Sequence, residues 1–125
     1  MNAASDIELV RRFVAAWNAR DVASIMAMLS PDIVYHNIPM EPLNGTAAVR
    51  ASVERVCASA TAIDWIITHI AAAGDGMVLT ERIDNFTMAG RAVSVPVMGA
   101  FRCVDGLIAE WRDYFDLAQY KRQLL

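Results

Sequence analysis

Arg82 and Asp84 in the segment TERIDNF, and Asp113 in WRDYFD, are charged residues at positions where a sheet should bury its side chains. Both segments read as β-strands, in which residues two apart point to one face. Arg82 and Asp84 then look out together with Val78, Thr80 and Phe86, while Asp113 shares its parity with Leu107, Ala109, Trp111 and Phe115. All three charges are predicted to face an apolar interior. Two carboxylates and a guanidinium are costly to bury unless they neutralise one another. Two acids bridged by one base in an apolar cavity suit acid–base chemistry.

Taken alone, an Arg-x-Asp on a strand is most often an exposed ion pair. Asp113, at an apolar parity, favours the buried reading. Tyr35 and Asn37 share a parity on a short strand end, either as polar groups of the same site or as partners for loop backbone. Glu81, Arg112 and Asp116 fall on the opposite parity and read as the solvent or subunit side. A one-residue register slip would exchange the two sets of charges. Val14, Trp17, Val95, Val97, Phe115 and Tyr120 are the expected pocket walls, an apolar lining that suits a hydrophobic ligand.

The elements that must position these groups are legible from period and punctuation. Ser5 and Glu8 form an S-x-x-E capping pattern, and Val10, Phe13, Val14 and Trp17 follow at helical spacing, which predicts a helix over 6–18. Asp21 caps a short second helix carrying Ile25, Met28 and Leu29, closed by Ser30-Pro31. A strand over 33–36 and a loop with Pro39, Pro42 and Gly45 precede a third helix from Thr46, with Val49, Val53, Val56, Cys57 and Ala60 on one stripe. From Ile63 the period becomes extended, and turns at Gly74-Asp75-Gly76, Ala89-Gly90 and Asp105-Gly106 divide four long antiparallel strands. The last, over 107–116, passes into a helical turn over 117–124. Helices followed by a long curved sheet make an α+β plan around one pocket.

At 125 residues, 56% of them apolar, the chain reads as one domain, 1–125, with ample core. A net charge of -3 without a clustered basic face excludes a nucleic-acid footprint. No apolar run approaches a membrane span, and MNAASDIELVRRF lacks a basic region followed by an apolar stretch, so a cytoplasmic location is expected. Cys57 and Cys103 read as reduced core cysteines, and His36 and His69 stand apart with no ligand motif around them. Neither metal nor cofactor is expected.

The order of elements, and the WNARD stretch Trp17 to Asp21, resemble the cone-shaped NTF2-like (SnoaL-like) fold. That fold hosts cyclases, isomerases, dehydratases and binding domains. Tyr35-His36-Asn37-Ile38-Pro39, Thr80-Glu81-Arg82-Ile83-Asp84 and Trp111-Arg112-Asp113-Tyr114-Phe115-Asp116 together resemble the limonene-1,2-epoxide hydrolase family over nearly the whole chain. The resemblance implies Asp113 as the base on water, Asp84 as the acid to an epoxide oxygen, Arg82 as their bridge, and Tyr35 with Asn37 as holders of the water. The chain begins close to its first helix and ends at Leu125, shorter at both ends than the limonene enzyme, which bears on the substrate more than on the reaction.

Two other readings compete. An isomerase or cyclase of the same fold needs one carboxylate base and an oxyanion donor, a scheme that an arginine between two acids fits poorly. A binding module would use the Arg/Asp pair to orient a small molecule without turnover. The stretch 91–104 is apolar on both parities, with Val93, Val95, Val97 and Phe101 one way and Ala92, Pro96, Met98 and Ala100 the other. A homodimer through the outer sheet face is therefore expected.

Overall fold

The computed structural model describes residues 2–125. Helix α1 (Ala3–Asn18) starts earlier than its apolar spacing implies, because Asn2 is the N-cap. The Asn2 side chain accepts from the Ser5 backbone N–H, and the Ser5 hydroxyl accepts from that of Asn2. Ser5 is thus the third helical residue of a capping box, not its cap, and the Ser5/Glu8 pairing does not form. Leu9, Val10, Phe13, Val14 and Trp17 are the buried stripe of α1. Helix α2 (Val22–Ala27) is capped by Asp21 as expected, but ends before Ser30-Pro31, which already lie in strand β1 (Leu29–Asn37).

A two-residue strand β2 (Leu43–Asn44) precedes α3 (Thr46–Ser59), which passes straight into β3 (Ala60–Gly74). Strands β4 (Met77–Met88), β5 (Arg91–Val104) and β6 (Leu107–Tyr114) complete the meander, and α4 (Leu117–Arg122) closes the chain. The turns are those anticipated: Asp75, Ala89 and Asp105 adopt positive φ, each beside a glycine that does the same.

The six strands form one sheet in the order β2-β1-β6-β5-β4-β3. All neighbours are antiparallel except β1 and β6, which run parallel, so the sheet is mixed and closes its pocket side with a strand from the first third of the chain. The helices cover one face, and the core joins α1 to the sheet through Phe13, Trp17, Phe101 and Trp111. A second cluster, Val93, Val95 and Val97, packs against Phe115, Tyr120 and Leu124. Among the described residues no helix is long and apolar enough to cross a membrane.

One register irregularity alters the expected parity of β6. Arg102 pairs with Glu110 but Cys103 pairs with Ile108, so a bulge falls at Ala109. Ile108 is fully buried while Leu107 and Ala109 are half-buried. Leu107 and Ala109 therefore leave the face of Trp111 and Asp113, contrary to the simple alternation. Both cysteines are buried and free, and burial pushes the Cys103 thiol up to about 11.

Candidate active site

Cross-strand register assembles the site. Trp65, Asp84 and Val95 form one row across β3, β4 and β5, and Ile67, Arg82 and Val97 form the next. Thr80, Gly99, Asp113 and Asn37 make the third row across β4, β5, β6 and β1. The fourth joins Phe101, Trp111 and Tyr35. Alternation brings every one of these side chains to the helix-covered face.

Arg82 has no exposure at all, and Asp84 and Asp113 are 4% and 3% exposed. The Arg82 Nε and Nη2 donate to Asp84 Oδ1 and Oδ2 at 3.0 and 2.8 Å. Its Nη1 and Nη2 donate to Asp113 Oδ1 and Oδ2 at 3.1 and 2.9 Å. Nη1 also donates to Thr80 Oγ1 at 3.2 Å, so each of the five N–H groups of the guanidinium has an acceptor. Trp111 Nε1 adds a third donor to Asp113, at 3.0 Å. The guanidinium carbon lies 5.0 Å from the centre of the Trp65 ring, a cation–π contact.

These surroundings set the charges. Burial pushes the Asp84 carboxyl up to about 6, against the opposing pull of the Arg82 hydrogen bonds and charge. Burial by itself would lower Arg82, but the Asp113 charge and the hydrogen bonds to both carboxylates raise it, and it stays a cation. Tyr35 is driven up by burial and by the Asp113 charge and stays a neutral phenol. Its hydroxyl donates to Asn37 Oδ1 at 3.1 Å, which leaves the Asn37 amide nitrogen as that side chain's donor. The Tyr35 ring stacks on Trp111 with centroids 3.8 Å apart.

Asp84, Asp113, Tyr35 and Asn37 open onto a cavity of about 250 Å³. Arg82 lies behind the two carboxylates and does not line it. Of the expected walls, Trp17, Val95, Val97, Phe115 and Tyr120 line the cavity. Val14 does not: it is 4% exposed within the main core, where its helical position turns it away from the cavity that Trp17 meets. Glu81 and Arg112 lie outward as expected, and Asp116 caps α4 by accepting from the Gln119 N–H.

Sequence reasoning missed several members. Thr80 had a signal, because it shares the parity of Arg82 and Asp84. Trp65 could be found only from its register opposite Asp84. Ser52 and Arg55 reach the cavity from α3, and no periodicity marks them. The chain therefore has the parts for moving a proton off water and onto a leaving oxygen, held in a mainly apolar chamber.

Comparison with known proteins identifies the family and the fold. Residues 4–125 match the model of the limonene-1,2-epoxide hydrolase catalytic domain. Epoxide hydrolase EphG of Mycobacterium tuberculosis (strain ATCC 25618 / H37Rv) is 32% identical over 116 residues, covering 93% of this chain and 76% of that protein. The structure of an M. tuberculosis LEH-like epoxide hydrolase superposes with a TM-score of 0.86 at 30% identity, covering 98% of this chain and 93% of that one. Bal32a, from a soil-derived mobile gene cassette, superposes at 0.85 with 20% identity and 97% of each chain covered, a likeness of fold. A SnoaL-like protein of Shewanella putrefaciens CN-32 does so at 0.84 with 17% identity and 95% of each chain covered, again a likeness of fold. With its NTF2-like cone and its match over nearly the full length, this chain belongs to the limonene-1,2-epoxide hydrolase family.

Proposed function

We propose that this protein opens a small hydrophobic epoxide with water in one step to give a vicinal diol. Asp113 is the base, Asp84 the acid, Arg82 their bridge, and Tyr35 and Asn37 the holders of the water. The observation that carries this reading is one guanidinium shared by two buried carboxylates at an apolar cavity. An epoxide oxygen leaves poorly unless protonated, and water attacks poorly unless a base relieves it of a proton. The raised Asp84 supplies the first proton. Asp113, which accepts three hydrogen bonds from Arg82 and Trp111, takes the second.

In the step itself, water accepts from the Asn37 amide and donates to Asp113. As its oxygen bonds to an epoxide carbon, the carbon–oxygen bond breaks and Asp84 protonates the departing oxygen. The configuration of the attacked carbon inverts, and the pair ends with its proton on Asp113. Passing that proton back to Asp84 restores the site, and Arg82 keeps the pair and itself near zero net charge throughout. The two buried free cysteines suit a reducing compartment such as the cytoplasm.

A single turnover in oxygen-18 water, with enzyme in excess, tests the scheme. Label should enter the diol in that first turnover. Unlabelled oxygen taken from a carboxylate would replace it with a covalent mechanism, and saturable binding of epoxides without diol would leave a binding module.

The outer face of the sheet supports a homodimer. Ile66, Ile83 and Pro96 lie in one row, and Glu81, Met98 and Tyr114 in the next. Met98 is 50% exposed, with Ile66 and Tyr114 nearly as open, so among the described residues nothing covers them. A two-fold pairing of this surface would bury it.

A further inference from the structure

Helix α3 turns Ser52, Arg55 and Val56 to the cavity that Asp84 and Asp113 enter from the sheet. These positions are i, i+3 and i+4, one strip of a helix surface. Val56 is apolar wall, and the hydrolytic scheme uses neither of the others. Ser52 is only 8% exposed, and a buried hydroxyl is ordinarily hydrogen-bonded, in a helix often to the carbonyl four residues back. Among the described residues the Ser52 hydroxyl makes no side-chain hydrogen bond, and it is not among the fully enclosed orphaned atoms, so it is open to the cavity it lines.

Arg55 lies one turn further along, exposed at the rim. Its neighbour Glu54 pairs with Arg50 at 3.9 Å, and the ion pairs among the described residues leave Arg55 without a carboxylate. In the form the scheme uses, with Asp84 protonated, the group formed by Asp84, Arg82 and Asp113 carries a net charge near zero. Burial raises both Tyr35 and Tyr120, so those phenols are neutral as well. The uncompensated charge of the cavity is therefore the cation of Arg55. An anion beside the sheet would meet Asp113, whereas one beside α3 meets a guanidinium and a hydroxyl.

We propose that the substrate is a compact epoxide bearing a carboxylate at the end remote from its oxirane ring, held by Ser52 and Arg55. This rests on the hydrolase reading and replaces its hydrophobic epoxide with an amphipathic one: only the frame between the two ends is apolar, as the walls require. A cavity of about 250 Å³ sits at the small end for ligand sites, hence a compact molecule.

Epoxycyclohexanecarboxylate and its methyl ester share one frame and differ in charge. The wild-type protein should hydrolyse the acid with kcat/KM at least about tenfold above the ester, through KM, and the preference should shrink as salt is raised. Arg55→Gln should cut the acid-to-ester ratio at least about fivefold, and Ser52→Ala should lower it in the same direction. A wild-type ratio near one, or a ratio unchanged in Arg55→Gln, overturns the proposal. Cyclohexanecarboxylate and cyclohexanecarboxamide, which hold no oxirane, separate the two readings by calorimetry. Carboxylate binding that weakens in Arg55→Gln supports the anion site even where no epoxide is opened. Diol from the ester with no preference for the acid keeps the hydrolase and discards the anion site.

Discussion

Gly99 and Arg82 compete for one volume: a β-carbon on residue 99 would run into Nη1 of Arg82, and would lie 2.7 Å from Thr80 Oγ1 and 3.0 Å from Asp113 Oδ1. Gly99 pairs with Thr80 on one side and Asp113 on the other, so the guanidinium rests over a gap in the row of side chains. Gly99→Ala should force Arg82 or Asp113 aside. Overpacking of this kind costs about 1–3 kcal/mol, to be measured by urea unfolding. Diol formation should fall at least about tenfold if these groups act as proposed, since displacing them loses alignment. Unchanged kcat/KM and stability would show that the bridge has room to shift.

Asp113→Asn and Asp84→Asn each remove one end of the proposed proton relay and keep the side-chain shape. Turnover should drop by about 10²–10⁴-fold in each. Because each carboxyl accepts two hydrogen bonds from the buried Arg82, an amide in its place leaves guanidinium N–H groups poorly paired, and a loss of about 1–3 kcal/mol in stability accompanies it. Circular dichroism separates the two effects, and a folded variant of either kind with near wild-type turnover would remove that residue from the scheme.

The pH dependence follows from Asp84. Burial raises its carboxyl from 3.8 to about 6, so the folded protein holds this proton more tightly than the unfolded chain does. That contribution to stability is complete below 3.8 and is lost as pH rises through about 6. Thermal midpoints should accordingly carry a downward component across this window that Asp84→Asn abolishes. Since the acid must be protonated to act, kcat/KM should fall by up to about tenfold per pH unit above the same value. A rate that climbs steadily from pH 6 to 8 would contradict the assignment of the acid.

Light scattering coupled to size exclusion should report twice the 13.7 kDa chain mass at micromolar protein. Met98→Arg, at the centre of the outer row, should shift the protein toward monomer. His69 and Glu81, 2.7 Å apart on that face, would then lie at the edge of the buried surface. A wild-type monomer would mean that this apolar face stays uncovered.

Arg82, Asp84 and Asp113 were legible because strand alternation is a rigid rule: they had to share a face if their strands were in register, whereas parity left Tyr35 and Asn37 open and only the family resemblance pointed to them. The same rule misplaced Leu107 and Ala109, since a bulge is a local choice of backbone that leaves no mark in alternation. The parallel pairing of β1 with β6 brings Asn37 opposite Asp113 across 76 residues of chain, counting 113 minus 37, and only tertiary packing fixes it. Val14 fell to the core because helical spacing identifies a buried stripe without saying which part of it meets the cavity. Ser52 and Arg55 were hidden for the converse reason, as polar residues on a helix read as solvated until the fold shows what they border.

Trp17, Trp65 and Trp111 are the chain's only three tryptophans, and they stand together around the carboxylate site. Trp17 and Trp65 stack at 4.8 Å, Trp65 carries the guanidinium over its ring, and Trp111 donates to Asp113. Each indole thus sees the protonation and occupancy of the site at first hand, and none lies elsewhere to dilute the signal. The protein's own ultraviolet emission is a built-in optical gauge of its chemistry, readable without label, coupled assay or chromophoric substrate.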